Sequence, residues 1–197
     1  AAIDALLPRD AVHQGLALYA KALYQVRQQR GYSIRAIRAQ DNPDVTRIIQ
    51  QVMPEFGACG AGFALSDPEV AAMYEAYAVE QAGFFVVLNP QEQVVGCGGF
   101  AQLAGAEESV CELRKMYFLP QARGLGLGRK LLLHILEQAR LAGYEHCYLE
   151  TLKHMEAARA LYRKCGFVVL SEPMGKTGHF GCNSWMVREL LPTRMQN

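Results

Sequence analysis

Residues 115–133 hold a short apolar strand, a proline stop, a glycine-rich turn and an apolar helix in immediate succession. Met116, Tyr117 and Phe118 read as the end of the strand, Pro120 stops it, and Leu131, Leu132 and Leu133 open the helix's apolar run. A strand that feeds a helix through so short a turn demands an α/β packing, with the helix laid back on the sheet. Three glycines alternate at 124, 126 and 128, where the backbone can take positive φ and be approached closely. The helix presents its first amides, which lack partners, and the positive end of its dipole to that loop. Such a corner binds phosphate-type anions mainly through backbone, and a cofactor carrying a pyrophosphate suits it.

Two familiar glycine patterns do not fit. A dinucleotide fingerprint needs Gly-x-Gly-x-x-Gly, but counting from Gly124 puts Arg129 at the last place, and counting from Gly126 puts Leu131 there. Gly175-Lys176-Thr177 supplies the end of a nucleotide-hydrolase loop, yet Leu170 stands where its first glycine belongs. What remains is Arg-x-x-Gly-x-Gly, from Arg123 to Gly128, preceded by a strand.

The rest of the chain alternates strand and helix signals. Asp10 is positioned to cap a helix to about Arg30, with Gly31 as its stop. Val12, Leu16, Tyr19, Leu23 and Val26 form one stripe along it, expected to pack on the body of the protein; a dimer contact is the alternative. Ser33–Ile37 alternates as a strand, and Asn42-Pro43-Asp44 opens a helix carrying Val45, Ile48, Ile49 and Val52. A glycine- and alanine-rich loop spans Glu55–Asp67, and Ser66 to Glu69 caps a second helix to about Val79. Gly83–Leu88 and Val94–Leu103 flank Asn89 to Glu92 as a hairpin, and Val110–Phe118 continues as a strand. After the glycine loop come a helix to Ala142, a strand Glu145–Glu150, a helix Met155–Cys165, and strands Phe167–Leu170 and Ser184–Leu190. An early hairpin with later β-α-β crossovers implies an α/β (α+β) fold, a mixed sheet with helices on both faces.

Composition narrows the partners. Half of the 197 residues are hydrophobic, yet no run approaches the length of a membrane span, and no secretory signal is visible. Formal charge is +1 with both signs interspersed, so neither nucleic acid nor a membrane surface is expected. Six scattered cysteines with no Cys-x-x-Cys pair suggest a reduced, cytoplasmic protein. His179 and Cys182 have the spacing of half a metal site, but two further ligands are missing, and no metal is expected.

The Arg123–Gly128 segment, with the strand before it, resembles the acetyl-CoA-binding segment of the GNAT superfamily of N-acyltransferases. Downstream, Glu150-Thr151-Leu152 closes a strand, and Ala157–Phe167 is similar to the family's second signature, a short helix ending in Leu-Tyr-x-Lys-x-Gly-Phe. Phe84–Leu88 and Val94–Phe100 fit the family's central hairpin, so the resemblance covers roughly residues 32–190. It implies a single catalytic domain, 32–197, with a mixed, largely antiparallel sheet, behind an N-terminal helical extension, 1–31.

The resemblance also assigns roles. Backbone groups of Met116, Tyr117 and Phe118 would pair with the pantetheine arm of acetyl-CoA. Residues Arg123, Gly124, Leu125, Gly126, Leu127, Gly128 and Arg129 would hold its pyrophosphate; Arg123 either adds charge there or fixes the loop by bonding carbonyls. Met155, Ala158 and Tyr162 of the second signature would complete the cofactor site. Met155 stands where the family often has an asparagine for the pantetheine. Tyr162 would protonate the departing thiolate, or else simply pack against Phe167.

An amine acceptor of pKa about 10.4 must lose a proton at neutral pH, so a base or water relay is needed. Glu112 and Glu150 are the candidates, with His179 as a third; the alternative for Glu112 is an ion pair with Arg114 on the same strand face. The expected activity is transfer of acetyl to a small-molecule or peptide amine in a ternary complex, with a homodimer as an option. The alternative is a catalytically silent CoA-binding regulatory module.

Overall fold

The computed structural model describes residues 9–58, 63, 67–178 and 180–190. Along these, the chain forms α1 (Arg9–Gln28), β1 (Ser33–Ala36), α2 (Asn42–Glu55), α3 (Met73–Ala76), β2 (Gly83–Leu88), β3 (Val94–Gln102) and β4 (Val110–Phe118). There follow α4 (Leu127–Leu141), β5 (His146–Thr151), α5 (Glu156–Lys164), β6 (Val168–Leu170) and β7 (Ser184–Glu189). One sheet takes all seven strands in the order β1-β2-β3-β4-β5-β7-β6. Every neighbouring pair is antiparallel except β4 and β5. A parallel pair needs a crossover, and the glycine loop with α4 supplies it. The mixed, largely antiparallel sheet matches the sequence expectation.

Local chemistry accounts for the elements that frame the site. The β2–β3 reversal is closed by Asn89, whose side-chain oxygen accepts from the amides of Gln91 (3.0 Å) and Gln93 (2.9 Å). On α4, Leu127, Leu131, Leu132, Ile135, Leu136 and Ala139 make one buried face that packs on β2, β3 and β4. That approach is close enough to require Gly98, where a Cβ would lie 3.2 Å from both Ile135 and the Met116 backbone. Helix α2 buries Val45, Ile48, Ile49, Val52 and Met53 against β3 and β4, as its spacing predicts.

Two expectations change. The helix expected over 68–79 is a 3-10 turn, Pro68–Ala71, followed by the single turn of α3. Side chains of α2 take the groups a continuous helix would need. Thr46 donates to the Val70 carbonyl (2.7 Å), and the Asn42 side-chain oxygen accepts from the Tyr74 amide (2.8 Å). The cap assigned to Ser66 lies outside the described residues.

The second change concerns α1. It starts at Arg9, so Asp10 is its second residue. Its stripe is not packed on the sheet: Leu16 is 60%, Tyr19 64%, Leu23 43% and Val26 66% exposed. The side chain of Val12 lies outside the described residues. The chain leaves α1 through Gly31 (φ 83), which turns tightly against Pro90, and enters edge strand β1 at once; among the described residues, no layer of the fold covers the stripe. Replacing Leu16 and Leu23 with glutamine should therefore shift stability by under about 1 kcal/mol, read as a near-unchanged thermal midpoint. A loss of about 4 kcal/mol or more would mean that the stripe is buried in solution.

Candidate active site

The site is a wedge in the sheet. β4 and β5 pair only over Val110–Glu112 and His146–Tyr148, while β5 continues along β7 to Thr151. Beyond Glu112, β4 therefore has no strand partner on its β5 side among the described residues. The other edge of β4 is bulged, since Gly98 of β3 faces both Lys115 and Met116. Lys115 there adopts φ 51, a costly conformation for a non-glycine residue. Its side chain is 2% exposed, and its ammonium donates to Asp67 (2.7 Å) and Glu69 (2.6 Å). Burial alone would depress the ammonium pKa, but the Tyr77 phenol and the two carboxylates outweigh it and raise it. A fully charged lysine thus ties the bulge to the 67–69 segment.

A cavity fills the wedge. Leu113 to Tyr117 form one wall, Leu149 to Leu152 the other, and Met53 and Phe56 at the end of α2 contribute to its lining. Glu112, Glu150, Met116, Tyr117, Met155 and Tyr162, all expected at the site from sequence, line it together. Ala158 is half-buried on α5 and does not reach this lining. His179 lies outside the described residues.

The two glutamates are held differently. Glu112 is buried and engaged by Arg114 at 2.6 Å, the ion pair that its strand spacing allowed. Glu150 accepts hydroxyl hydrogen bonds from Tyr148 (2.8 Å) and Thr177 (3.1 Å). It also borders a second, more open cleft lined by Lys176, Thr177, Phe180 and Trp185. Cys182 lines both spaces as well, and burial together with Glu150 and Glu112 pushes its thiol up to about 12. It is protonated at any physiological pH and is a poor nucleophile.

Tyr162 is buried on α5, and burial lifts its phenol to about 12. Its ring also packs on Phe167, with centroids 5.8 Å apart, and its side chain lines the cavity. Met155 precedes α5, and its sulfur accepts a hydrogen bond from the Thr151 hydroxyl at 3.7 Å.

The glycine loop leaves the wedge through a 3-10 turn at Pro120–Ala122. Gly124 (φ 75) and Gly126 (φ 80) are left-handed, and Gly126 is the N-cap of α4. The amides of Leu127, Gly128 and Arg129 begin the helix and have no carbonyl within it to bond. Arg123 fixes the loop: its Nε donates to the Phe118 carbonyl (2.8 Å), it pairs with Glu55 (2.7 Å), and it lies over the Phe56 ring. The β4 edge beyond its β5 pairing thus leads through this loop to the first amides of α4.

The family model described as "Acetyltransferase (GNAT) family" matches residues 45–167, which contain this wedge, loop and second-signature helix. The chain belongs to the GNAT acetyltransferase family. The uncharacterized N-acetyltransferase YjgM of Escherichia coli (strain K12) is 43% identical over 158 residues, covering 80% of this chain and 94% of that protein. A GNAT acetyltransferase of Staphylococcus aureus Mu50 superposes with a TM-score of 0.70 at 19% identity, over 81% of this chain and 99% of the other. A GNAT phosphinothricin acetyltransferase of Sinorhizobium meliloti, solved with acetyl-CoA, superposes with a TM-score of 0.66 at 21% identity, over 84% and 95%.

This GNAT chain is therefore an acyltransferase. Several of its cavity residues escape sequence reasoning. Lys115 sits inside the motif but reads as a strand lysine, because its two acidic partners lie about fifty residues upstream. Cys182 reads as one of six scattered cysteines, and Thr151 only as a strand end. The one available signal for Cys182 is its place in the glycine-rich loop before the last strand. Among the described residues no three His, Cys, Asp or Glu side chains gather as a metal-binding group, and no helix is long and apolar enough to cross a membrane.

Proposed function

We propose that the protein moves an acetyl group from acetyl-CoA to an amine by direct attack in a ternary complex. The observation that carries this is Glu150 standing on the wall shared by the wedge cavity and the outer cleft. An acceptor entering from the cleft meets a carboxylate at the point where the cavity begins. Beside it, a thiol held protonated is unsuited to form an acetyl-enzyme.

The residues fit acetyl-CoA as cosubstrate, which supplies the acetyl thioester. The free edge of β4 at Met116 to Phe118 suits the amides of the pantetheine arm, and the amides from Gly124 to Arg129 suit the pyrophosphate. Arg123 serves by holding that loop in place, and Thr151 supplies a hydroxyl next to Met155, where the family often has an asparagine. Met155 and Tyr162 line the cavity, with Ala158 on the same helix as Tyr162.

Glu150 takes the proton of the incoming ammonium, directly or through water. Glu112, committed to Arg114, keeps that guanidinium in place at the cavity wall and is the weaker candidate for the base. A backbone N–H of Tyr117 or Phe118 polarises the thioester carbonyl. The amine nitrogen bonds to the carbonyl carbon, the carbon–sulfur bond breaks, and Tyr162 donates its proton to the leaving thiolate. The nitrogen gives up its remaining extra proton, which through water restores the Tyr162 phenol, while Glu150 returns its own proton to solvent. A silent CoA-binding module would need none of these groups around the cavity. We assign the transferase unit to residues 32–197, with 1–31 as an N-terminal helical extension; the family match over 45–167 supports its core.

A panel of amino acids, polyamines and short peptides, followed by thiol release from acetyl-CoA, should identify a productive amine. On that amine, Glu150→Gln should lower kcat about 10²-fold, and Glu112→Gln should lower it less. Turnover by Glu150→Gln equal to the parent would remove Glu150 as the base.

A further inference from the structure

Gln29 follows α1 directly, outside the 45–167 span matched by the family model. Its side chain nevertheless reaches the glycine loop. Nε2 donates to the Leu125 carbonyl at 3.0 Å, across 96 residues of sequence. The same nitrogen lies 2.6 Å from where a Cβ on Gly126 would stand, so it sits directly on the N-cap of α4. The backbone that carries it is braced. The Tyr32 amide donates to the Gln29 carbonyl at 3.1 Å, and Gly31 turns against the Pro90 ring.

We propose that Gln29 is a further positioning residue of the phosphate-binding loop, contributed by the N-terminal segment and acting on a bound diphosphate. The inference rests on the assignment of the cofactor pyrophosphate to this loop. Two physical effects support it. A carbonyl oxygen at an anion site repels phosphate, and the bond from Gln29 occupies the Leu125 oxygen and draws off its negative charge. A carboxamide also has two N–H groups, and the bond to Leu125 uses one. The second belongs to the same nitrogen, which stands at Gly126, the N-cap of the helix whose first amides can bond an anion.

The full chain, titrated calorimetrically with CoA and with pantetheine, tests this, because pantetheine keeps the arm and lacks the pyrophosphate. Gln29→Ala should raise the CoA Kd about tenfold, the size of one hydrogen bond to a charged group. Gln29→Glu should raise it further, since a carboxylate opposes phosphate and cannot donate to Leu125. Gln29→Lys, which donates and carries charge, should bind CoA at least as tightly as the parent. Pantetheine affinity should move less than about twofold in all three, as expected for a contact confined to the diphosphate. CoA binding by Gln29→Glu equal to the parent overturns the proposal. So does an equal loss in all three variants, or a parallel loss with pantetheine, which would mark a merely structural brace. Gly126→Val separates the layers. If it binds CoA like the parent, the pyrophosphate assignment itself falls. If it loses CoA while Gln29→Glu does not, only the role of Gln29 falls.

Discussion

Gly126→Val should weaken acetyl-CoA binding by at least about a hundredfold while leaving the chain folded. The position has φ 80, where a β-branched residue is strained by about 1–2 kcal/mol. An added Cβ meets only the end of the Gln29 side chain, which can swing aside, so the packing cost is small. The larger effect falls on the ligand. The valine methyls would occupy the space over the amides of Leu127, Gly128 and Arg129, excluding phosphate from them. Two lost hydrogen bonds to a charged oxygen, at about 1.5–3 kcal/mol each, exceed the hundredfold mark. Calorimetry with acetyl-CoA gives the affinity, and a thermal melt gives the fold. Parent-like affinity would move the pyrophosphate elsewhere.

Tyr162→Phe carries the next largest effect, a fall in kcat of about 10²-fold with little change in acetyl-CoA affinity. The ring and its contact with Phe167 survive the change, so stability should alter by no more than about 1 kcal/mol. The phenol, pushed up to about 12 by burial, carries its proton throughout the usable pH range. Its titration therefore contributes no alkaline limb to the rate profile below that value. Unchanged turnover in the variant would leave solvent as the acid and Tyr162 as a packing residue.

Much of this architecture is written locally. Asn89 closes its turn with its own side chain, α4 carries its buried face at helical spacing, and Arg123 to Gly128 encode a loop and a helix start within six residues. These features depend on neighbours in sequence, so sequence shows them. The site's remaining parts depend on distant partners. The left-handed Lys115 is held by Asp67 and Glu69, and nothing in its own strand announces that. Glu112 and Glu150 look alike as strand carboxylates. The pairing of Glu112 with Arg114, two residues along its strand, is legible locally, but the place of Glu150 on two clefts depends on residues brought together from distant segments. The stripe on α1 shows the reverse failure: its periodicity is sound, but periodicity does not name the surface that covers it, and in this fold α1 leads straight to an edge strand.

Direct transfer is tested most plainly by following the label in acetyl-CoA carrying a radioactive acetyl group. The enzyme is mixed with it, first alone and then with an amine found productive in the panel. Without amine, intact protein should show no covalent acetyl group; with amine, the label should pass to the amine as free CoA appears. Acetylated Cys182 that hands its label to the amine would contradict direct attack. CoA binding with no amine acetylated across the whole panel would contradict the assignment of turnover.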